Sequence, residues 1–374
     1  MRMVQTLDYT REDLRPGPAQ AAGITQWHEG VRERAGAAAA SFVRDRCEEY
    51  VRGVAGADLI RELLGSYVSG GKYIRPTFAY LGWLCGADES DAALRAAAST
   101  ELLHAFALIQ DDVMDRSALR RGRATAHARL ADWHGSRALA GDERHFGESA
   151  AILLSDLLLV WAERMLRESG LSADALSRAW PVYDTLRGEL AVGQLADLVY
   201  DARHLPPMEA VLEMSRRKSG NYTVRRPLEL GAALAGCGQQ VRDGLGRYGS
   251  LVGEAFQLRD DLLGVFGQPW VTGKPNGGDL REHKATSVVT LAAELAGPVA
   301  QAELTRLYGQ DLLGEPELDR VRELIEGTGA VGRIEEMIDS RVRVACASLP
   351  GAGINGFALA ALSDLAVRAT SRAR

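Results

Sequence analysis

The sequence predicts an all-α fold, a single large helical bundle, and three observations support this. Ala, Leu, Arg and Glu are frequent, and apolar residues recur at three- and four-residue steps, the period of an amphipathic helix. Alternating runs of β-branched residues bounded by turns, the pattern of a strand, are missing. Two acidic clusters far apart in the chain each lie within an apolar helix-forming stretch, which suggests facing helices of one bundle.

The predicted elements divide the chain into a short arm and a long helical region. Residues 1–30 are polar and interrupted by Pro and Gly, so we expect a flexible N-terminal arm followed by one all-helical domain over residues 31–374. A polar loop is expected over residues 134–147. The expected helices are 31–54, 57–68, 74–85, 90–114, 123–132, 148–168, 173–200, 207–217, 221–235, 239–267, 284–295, 299–310, 315–326, 329–347 and 355–371.

Composition excludes several classes of protein. The 374 residues carry a formal net charge of −6, so the surface as a whole is not built to bind nucleic acid. The four cysteines are widely spaced without a CxxC pair, which favours buried free thiols over zinc or disulfides. The N-terminus lacks the apolar segment of a secretory signal, and the apolar run over residues 150–162 is interrupted by Ser155 and Asp156. We therefore expect a cytoplasmic protein with no stable membrane insertion.

The first acidic cluster is a candidate Mg²⁺ site. Asp111 and Asp115 are four residues apart and share one helical face, and Asp112 lies about 100° further round. His104, two turns earlier, lies on nearly the same side as Asp111. Carboxylates crowded in an apolar stretch repel one another unless a cation lies between them, and Mg²⁺ prefers one or two carboxylates with phosphate oxygens and water. The alternative is a solvated acidic helix end, capped by the arginines that follow.

The second acidic cluster consists of Asp260 and Asp261, with Gln257 one turn earlier on the same helix. Gly264 stands where a third carboxylate at the four-residue spacing would complete the pattern. Asp-Asp pairs are common on helices, so this cluster is significant mainly through its combination with the first.

Basic residues around the two clusters predict binding of anions. Lys72 and Arg75 are three residues apart at the start of a helix, where they can converge on one anion. Arg120 and Arg121 follow the first cluster, and arginine forks match phosphate geometry. Lys218, beside Ser219, and Lys274 add two ammonium groups. Each of these alone could be an ordinary turn with a solvated cation; together they predict a site for Mg²⁺ and diphosphate.

These motifs in this order resemble the polyprenyl synthetase family, the trans-isoprenyl diphosphate synthases, over roughly residues 35–350. The matching pieces are GGKYIRP at 70–76, ELLHAFALIQDDVMD at 101–115, RRG at 120–122, GQLAD at 193–197, KSGNYT at 218–223, FQLRDDLLG at 256–264 and GKPNGGDLREHKAT at 273–286. The resemblance implies the isoprenoid synthase type of helical bundle, with a central active-site cavity.

The resemblance also implies roles for the matching residues. The isopentenyl diphosphate would be held by Lys72, Arg75, His104 and Arg121, and the allylic diphosphate by Arg120, Lys218, Ser219, Gln257 and Lys274. The Mg²⁺ ligands would be Asp111, Asp115 and Asp260, assisted by Asp112, Asp261 and Asp279. The implied catalytic set is Asp111, Asp112, Asp115, Arg120, Lys218, Gln257, Asp260 and Asp261.

The implied reaction joins isopentenyl diphosphate head-to-tail to an allylic diphosphate in the E configuration, with two or three Mg²⁺ ions per site, in a homodimer. Phe106 and Ala107, five and four residues before Asp111, are the expected chain-length residues. One bulky and one small residue there, with no insertion in the first cluster, resemble geranylgeranyl (C20) synthases more than farnesyl ones.

Three alternatives remain open on the sequence. One is a synthase for a farnesyl or a longer polyprenyl product. Another is a class I terpene cyclase, which would not need Lys72, Arg75 and His104 because it binds one diphosphate. The third is a non-catalytic subunit of a heteromeric synthase, although such subunits usually lose aspartates or arginines that are kept here.

Overall fold

The computed structural model describes residues 12–200, 205–267, 277–310 and 312–371, and within these ranges the predicted all-α class is confirmed. A short 3₁₀ helix, Glu12–Leu14, comes first. The α-helices are α1 (Pro18–Tyr50), α2 (Ala57–Tyr67), α3 (Ile74–Leu84), α4 (Asp91–Met114), α5 (Ala126–Gly135), α6 (Glu143–Arg167), α7 (Ala173–Val199), α8 (Met208–Ser215), α9 (Arg226–Ala235), α10 (Gln239–Phe266), α11 (Gly278–Arg281), α12 (Ser287–Leu295), α13 (Pro298–Tyr308), α14 (Glu315–Gly327), α15 (Ala330–Ala347) and α16 (Gly356–Thr370). Two short strands, β1 (Leu119–Arg120) and β2 (Arg123–Ala124), form an antiparallel pair.

The first helix begins earlier than the sequence predicts. The assignment of residues 18–30 to a flexible arm is wrong, because α1 starts at Pro18, in the first-turn position that proline favours. Ile24 is buried in the core, and the Trp27 ring meets the Phe357 ring of α16 edge-on, with centroids 5.4 Å apart. Contacts with the opposite end of the chain therefore stabilise this part of α1, and a local sequence pattern does not reveal them.

The starts of α5 and α6 also differ from the prediction. The helix expected from residue 123 begins only at Ala126, because the preceding residues form the β1–β2 hairpin. The helix expected from residue 148 begins at Glu143, inside the predicted polar loop. The Asp142 side chain accepts a hydrogen bond from the backbone N of His145 at 2.6 Å, so it caps this earlier start.

The break expected near residues 218–220 is a π-helical segment, Arg216–Arg225, that joins α8 to α9 without interruption. This segment packs very closely against α7, where a Cβ at Gly193 would overlap the backbone of Lys218. π-Helical turns occur frequently at functional sites, and this one carries Lys218 and Ser219.

The apolar interior consists of two clusters of buried side chains. One is built around α10, α15 and α16, and the other around α1, α4 and α6. A fully buried leucine, such as Leu102 on α4 or Leu262 on α10, contributes roughly 2 kcal/mol through its apolar area. All four cysteines are buried and free, as the sequence predicts. The acidic cluster of each long helix thus rests on a rigid apolar base.

Helix α4 is, within the described ranges, the one helix long and apolar enough to span a membrane. Two thirds of its apolar window is buried inside the protein, against α3 and α6. Burial of this kind is typical of a core helix. The interrupted apolar segment over residues 150–162 belongs to α6.

Candidate active site

A cavity of about 380 Å³ lies where α4, α7, the π-helical segment and α10 meet. Both acidic clusters open onto it, through Asp111 on one side and Asp260 with Asp261 on the other. Of the other predicted site residues, Lys72, Lys218, Ser219 and Gln257 line the same cavity. The fold therefore brings together residues up to 189 positions apart in the sequence, from Lys72 to Asp261.

The first cluster lies at the C-terminal end of α4. That helix is fixed at its other end by Ser90, whose side chain accepts a hydrogen bond from the backbone N of Ala93. One carboxylate oxygen of Asp111 accepts a hydrogen bond from Arg120 Nη2 at 3.1 Å, and the other accepts one from Lys218 Nζ at 3.4 Å. Asp115 directly follows the last residue of α4, and its carboxylate accepts a hydrogen bond from Lys284 Nζ at 2.7 Å. Two of the predicted metal ligands are thus held by cations that come from other elements.

Asp112 points away from the cavity into the core, as its place on the helix predicts. It is fully buried and accepts hydrogen bonds from Arg120 Nε at 2.6 Å and from the Tyr67 hydroxyl at 2.7 Å. Burial raises the pKa of this carboxyl, and the charge of Arg120 acts in the opposite direction. Asp112 therefore positions Arg120, which in turn contacts the cavity-facing Asp111.

The second cluster is held by the start of α12. Asp261 is buried and accepts hydrogen bonds from Ser287 N at 3.0 Å and Ser287 Oγ at 2.5 Å. Gln257 Nε2 donates to the other oxygen of Asp261 at 2.7 Å, so its amide orients this carboxylate. Burial raises the pKa of Asp261 to about 6, against these three hydrogen bonds. Asp260, on the same turn, faces the cavity.

A third carboxylate reaches the second cluster from outside α10. Asp279, at the start of α11, lines the cavity beside Gly264. A Cβ built on Gly264 would overlap the carboxylate of Asp279. The position that α10 leaves without a side chain is therefore filled by an acid from the next element.

Two lysines balance this negative charge. Lys218 forms an ion pair with Asp197 of α7 at 2.5 Å in addition to its contact with Asp111. Lys284 forms an ion pair with Glu282 at 2.9 Å in addition to its ion pair with Asp115. Burial lowers the pKa of Lys284, but the surrounding carboxylates outweigh it and hold the pKa well above its usual value. Both ammonium groups are therefore charged and face a cavity that also contains carboxylates.

A second group of basic residues lies between α3, α4 and the π-helical segment. The guanidinium carbon of Arg75 lies 4.2 Å from the centre of the Tyr222 ring, and Arg75 Nη2 donates to Thr223 Oγ1 at 2.9 Å. Arg75 Nε is buried and has no hydrogen-bond acceptor. The Tyr222 hydroxyl lies 3.3 Å from His104 Nδ1. Burial, together with nearby arginines, holds the pKa of His104 well below its usual value, so this imidazole is neutral.

The β1–β2 hairpin positions the two arginines of the RRG motif differently. Its two-residue turn, Arg121-Gly122, has positive φ at both positions, as a tight hairpin requires. Arg120 points back to the first acidic cluster. Arg121 is exposed and donates to the backbone oxygen of Ser69, next to the loop that carries Lys72. Arg121 therefore belongs with Lys72 and the second basic group.

The donor chemistry of the cavity fits Mg²⁺. Its carboxylates are hard oxygen ligands, and ammonium groups already balance Asp111 and Asp115 as a metal cation would. Within the described ranges, no three acidic, histidine or cysteine side chains converge to form a ready-made metal cage. Mg²⁺ needs no such cage when substrate oxygens and water complete its octahedron. The residues that would hold it are Asp111, Asp115 and Asp260.

Three predicted residues remain to be described. Phe106 and Ala107 are half-buried on α4, within the apolar cluster formed with α1 and α6. Lys274 lies outside the described residues.

Six residues that the sequence does not predict as site residues contact or adjoin the predicted ones. They are Tyr67, Glu101, Tyr222, Thr223, Lys284 and Ser287. Most lie inside or beside the motifs; Lys284, for example, ends the run GGDLREHK. Their side-chain types carry no specific signal, because a tyrosine or a lysine in a helix is usually structural or solvated.

Known proteins with similar sequences and structures indicate the family of this chain. The model of the family described as polyprenyl synthetase matches residues 57–325. A geranylfarnesyl diphosphate synthase of Aeropyrum pernix is 35% identical over 272 residues, which are 71% of this chain and 79% of that protein. A (2E,6E)-farnesyl diphosphate synthase of Mycobacterium bovis is 32% identical over 304 residues, 77% of this chain and 78% of that protein.

Among solved structures, the chain is similar to a geranylgeranyl pyrophosphate synthase from Corynebacterium glutamicum, crystallised with isoprenyl diphosphate and magnesium. The two are 37% identical with a TM-score of 0.85, over 93% of this chain and 99% of that chain. The acidic clusters, the basic residues and these similarities lead to one conclusion: the chain belongs to the polyprenyl synthetase family and is a prenyltransferase of the isoprenyl diphosphate synthase type.

Proposed function

We propose that this prenyltransferase condenses isopentenyl diphosphate with an allylic diphosphate and releases mainly geranylgeranyl diphosphate (C20). The observation that carries the two-substrate assignment is the separation of its basic residues into two groups. Lys218 lies with the acidic clusters. Arg75 and His104 lie around Tyr222, and Arg121 lies against the loop that precedes α3 and carries Lys72. The first group suits an ionising allylic diphosphate, and the second suits the diphosphate of the other substrate.

The chemistry follows from the charges. The allylic C–O bond breaks, its electron pair leaves with the diphosphate, and a delocalised carbocation remains. Lys218 and Arg120 stabilise the charge that builds on the leaving diphosphate. The double bond of isopentenyl diphosphate, held by Lys72, Arg75 and Arg121, attacks the carbocation and forms the new C–C bond. A proton then passes to the released diphosphate, while the apolar side chains around Phe106 exclude water from the cation.

Magnesium is part of this proposal, with two or three ions per site. When bound, it would neutralise diphosphate charge and orient the leaving group. Asp111, Asp115 and Asp260 would hold it, with Asp112, Asp261 and Asp279 in support. Lys218 and Lys284 would then turn from the carboxylates towards phosphate oxygens.

The C20 product is supported by the residues before the first cluster. Phe106 is bulky and Ala107 is small, so the wall beneath Asp111 is closed on one side and open on the other. The relatives make geranylfarnesyl and farnesyl diphosphates, and the similar crystal structure is of a geranylgeranyl synthase. Because proteins this similar are named for products of different length, we assign the product length of this chain to the side chains at positions 106 and 107.

The other classes are less well supported. A terpene cyclase does not need the second basic group, yet Arg75 keeps a buried N–H without an acceptor there. A non-catalytic subunit would not be expected to keep Asp111, Asp115, Asp260 and Lys218 around one cavity.

We also propose that the protein is a homodimer in the cytoplasm. Leu153 and Val160 are more than 60% exposed and lie seven residues apart on one face of α6. Leu195 and Val199 are equally exposed on α7, which is joined to α6 by the Arg187–Glu163 ion pair. A second copy of the chain would cover this face, as the family resemblance implies. Four buried free thiols are consistent with a reducing compartment.

The decisive experiment is product analysis of the lone protein. It would be incubated with Mg²⁺, isopentenyl diphosphate and either dimethylallyl or farnesyl diphosphate, and the products would be sized by chromatography. We expect a C20 product from both primers. A main product of C15, or of C40 and longer, would refute the chain length. Cyclic hydrocarbons would indicate a cyclase, and no diphosphate release would indicate a non-catalytic subunit.

A further inference from the structure

A buried carboxylate without a direct hydrogen bond lies beside the second basic group. Glu101 is on α4, one turn before His104, and only 2% of its surface is exposed. Among the described residues, none donates a hydrogen bond to Glu101 or forms an ion pair with it within 4 Å, although Arg75 and Arg121 act on it electrostatically. Buried carboxylates are almost always paired, so this exception needs an explanation.

The surroundings of Glu101 come from several elements. Arg75 of α3 and Arg121 of the hairpin are the charged groups that act on it. The backbone at Gly71 lies against it: a Cβ there would be 2.8 Å from Glu101 Oε1 and 3.8 Å from Arg121 Nη2. Glu101 thus lies within electrostatic reach of two of the residues assigned to isopentenyl diphosphate.

This carboxyl is poised to gain or lose a proton near neutral pH. Burial raises its pKa to about 7, although Arg75 and Arg121 act to lower it. The other titratable groups around it are fixed in one state at that pH. His104 on the same helix is neutral because burial lowers its pKa. Tyr73 and Tyr222 are neutral because burial, with the charge of Glu101, raises theirs.

Both arginines have capacity left for another anion. Arg75 Nε has no acceptor, and Arg121 is exposed, with its one recorded hydrogen bond going to a backbone oxygen. An ionised Glu101 and a bound diphosphate would compete for the same positive charge and repel each other in a partly desolvated site. Binding of the diphosphate therefore favours the protonated form of Glu101.

We propose that Glu101 is a positioning residue that couples protonation to substrate binding: it serves as counter-ion to Arg75 and Arg121 in the free enzyme and takes up a proton when a diphosphate binds there. The proton comes from solvent to a Glu101 carboxylate oxygen, and no covalent bond changes. This inference rests on the proposed function, because it assigns that second basic group to isopentenyl diphosphate.

Isothermal titration calorimetry with isopentenyl diphosphate alone tests this directly, since no turnover occurs without an allylic primer. Titrations at pH 7.5 in two buffers of different ionisation enthalpy give the number of protons taken up. We expect the wild-type protein to take up a substantial fraction of one proton. Its affinity should weaken with pH above 7, by up to about tenfold per unit.

Glu101→Gln is the informative variant, because the amide has the shape of the protonated acid and does not titrate. We expect it to lose that proton uptake and to bind isopentenyl diphosphate at pH 8 at least as tightly as the wild-type chain. Glu101→Asp keeps a titratable carboxyl and should restore the pH dependence at lower affinity. Glu326→Gln, an exposed change on α14, is the matched control.

The outcomes separate this inference from the proposed function. If Glu101→Gln shows the same proton uptake and pH dependence as the wild type, the role of Glu101 is refuted even though C20 product is still made. If the wild-type chain does not bind isopentenyl diphosphate at all, the proposed function fails first. A change in kcat with unchanged KM for isopentenyl diphosphate would also contradict a positioning role at this site.

Discussion

The carboxylate of Asp279 occupies the space that a side chain at Gly264 would need. Asp260 and Gly264 are one turn apart on α10, so a third aspartate at 264 would face the same side of the cavity. Asp279 reaches that place from α11 instead. The second acidic cluster is therefore more complete in three dimensions than in the sequence.

This arrangement makes Gly264 sensitive to substitution. In Gly264→Ala the new methyl group must displace Asp279, so we expect the apparent affinity for Mg²⁺ to fall about tenfold to a hundredfold, the usual effect of losing an outer carboxylate of a metal site. Mn²⁺ binding measured by electron paramagnetic resonance with inorganic pyrophosphate present gives the affinity without turnover.

The exchange variant Gly264→Asp with Asp279→Gly is the matched control, since it moves the carboxylate onto α10 and removes the overlap. It should recover most of the metal affinity that either single change loses. A free-energy loss in the exchanged variant equal to the sum of the two single losses would show that the two positions are independent.

Substitutions of the two adjacent aspartates of α4 should have different effects on activity and stability. Asp111→Asn removes a cavity-facing ligand, so we expect kcat/KM to fall at least 10²-fold with little loss of stability. Asp112→Asn leaves the partly buried Arg120 without its closest charged partner, so we expect a loss of about 3 kcal/mol in the free energy of unfolding as well. Steady-state kinetics and urea unfolding of the two variants, side by side, distinguish these roles.

Phe106 should limit the length of the product. In Phe106→Ala the wall beneath Asp111 opens, so we expect products longer than C20 from the same substrates. Ala107→Phe is the opposite change and should shorten the product to C15. The test is chromatography of the dephosphorylated products. An unchanged product from Phe106→Ala would show that another side chain forms the floor.

Glu101 should make stability depend on pH. Its carboxyl has a pKa of about 7 in the fold and an ordinary value of 4.5, so the folded state keeps a proton that the unfolded chain releases. Stability is therefore lost as pH rises from 4.5 to 7 and changes no further above that range. The loss is on the order of 3 kcal/mol.

Glu101→Gln should lack this loss, so its free energy of unfolding relative to wild type should rise between pH 5 and pH 8. Urea unfolding at those two pH values measures the difference. A constant difference between the two proteins would mean that Glu101 titrates in the fold as it does in water.

The exposed apolar face of α6 should control assembly. Val160→Lys places a charge where a second copy is proposed to pack, so we expect the sedimentation velocity to change from that of a dimer to that of a monomer of 40.3 kDa. Val299→Lys, on the exposed surface of α13, is the control and should leave the assembly state unchanged. A wild-type chain that already sediments as a monomer would refute the dimer.

The sequence predicts most of the fold because its signals are local. Three- and four-residue apolar spacing locates the helices, and Asp111 with Asp115 shares a face through helical geometry alone. The prediction of secondary structure is wrong where contacts between distant parts of the chain determine the local conformation. Residues 18–30 are helical because Ile24 and Trp27 pack against the far end of the chain. The π-helical segment depends on how closely α7 approaches it, which spacing along one helix does not encode.

Residue types at short spacing are enough to predict the helical class, the two acidic clusters and the family motifs. Which charges meet depends on how the helices pack. The fold places Lys284 on Asp115, and it fills the space beside Gly264 with the carboxylate of Asp279. It also buries Glu101 near Arg75 and Arg121. Electrostatic interactions depend on distance and burial, and both are set when helices far apart in the chain pack together.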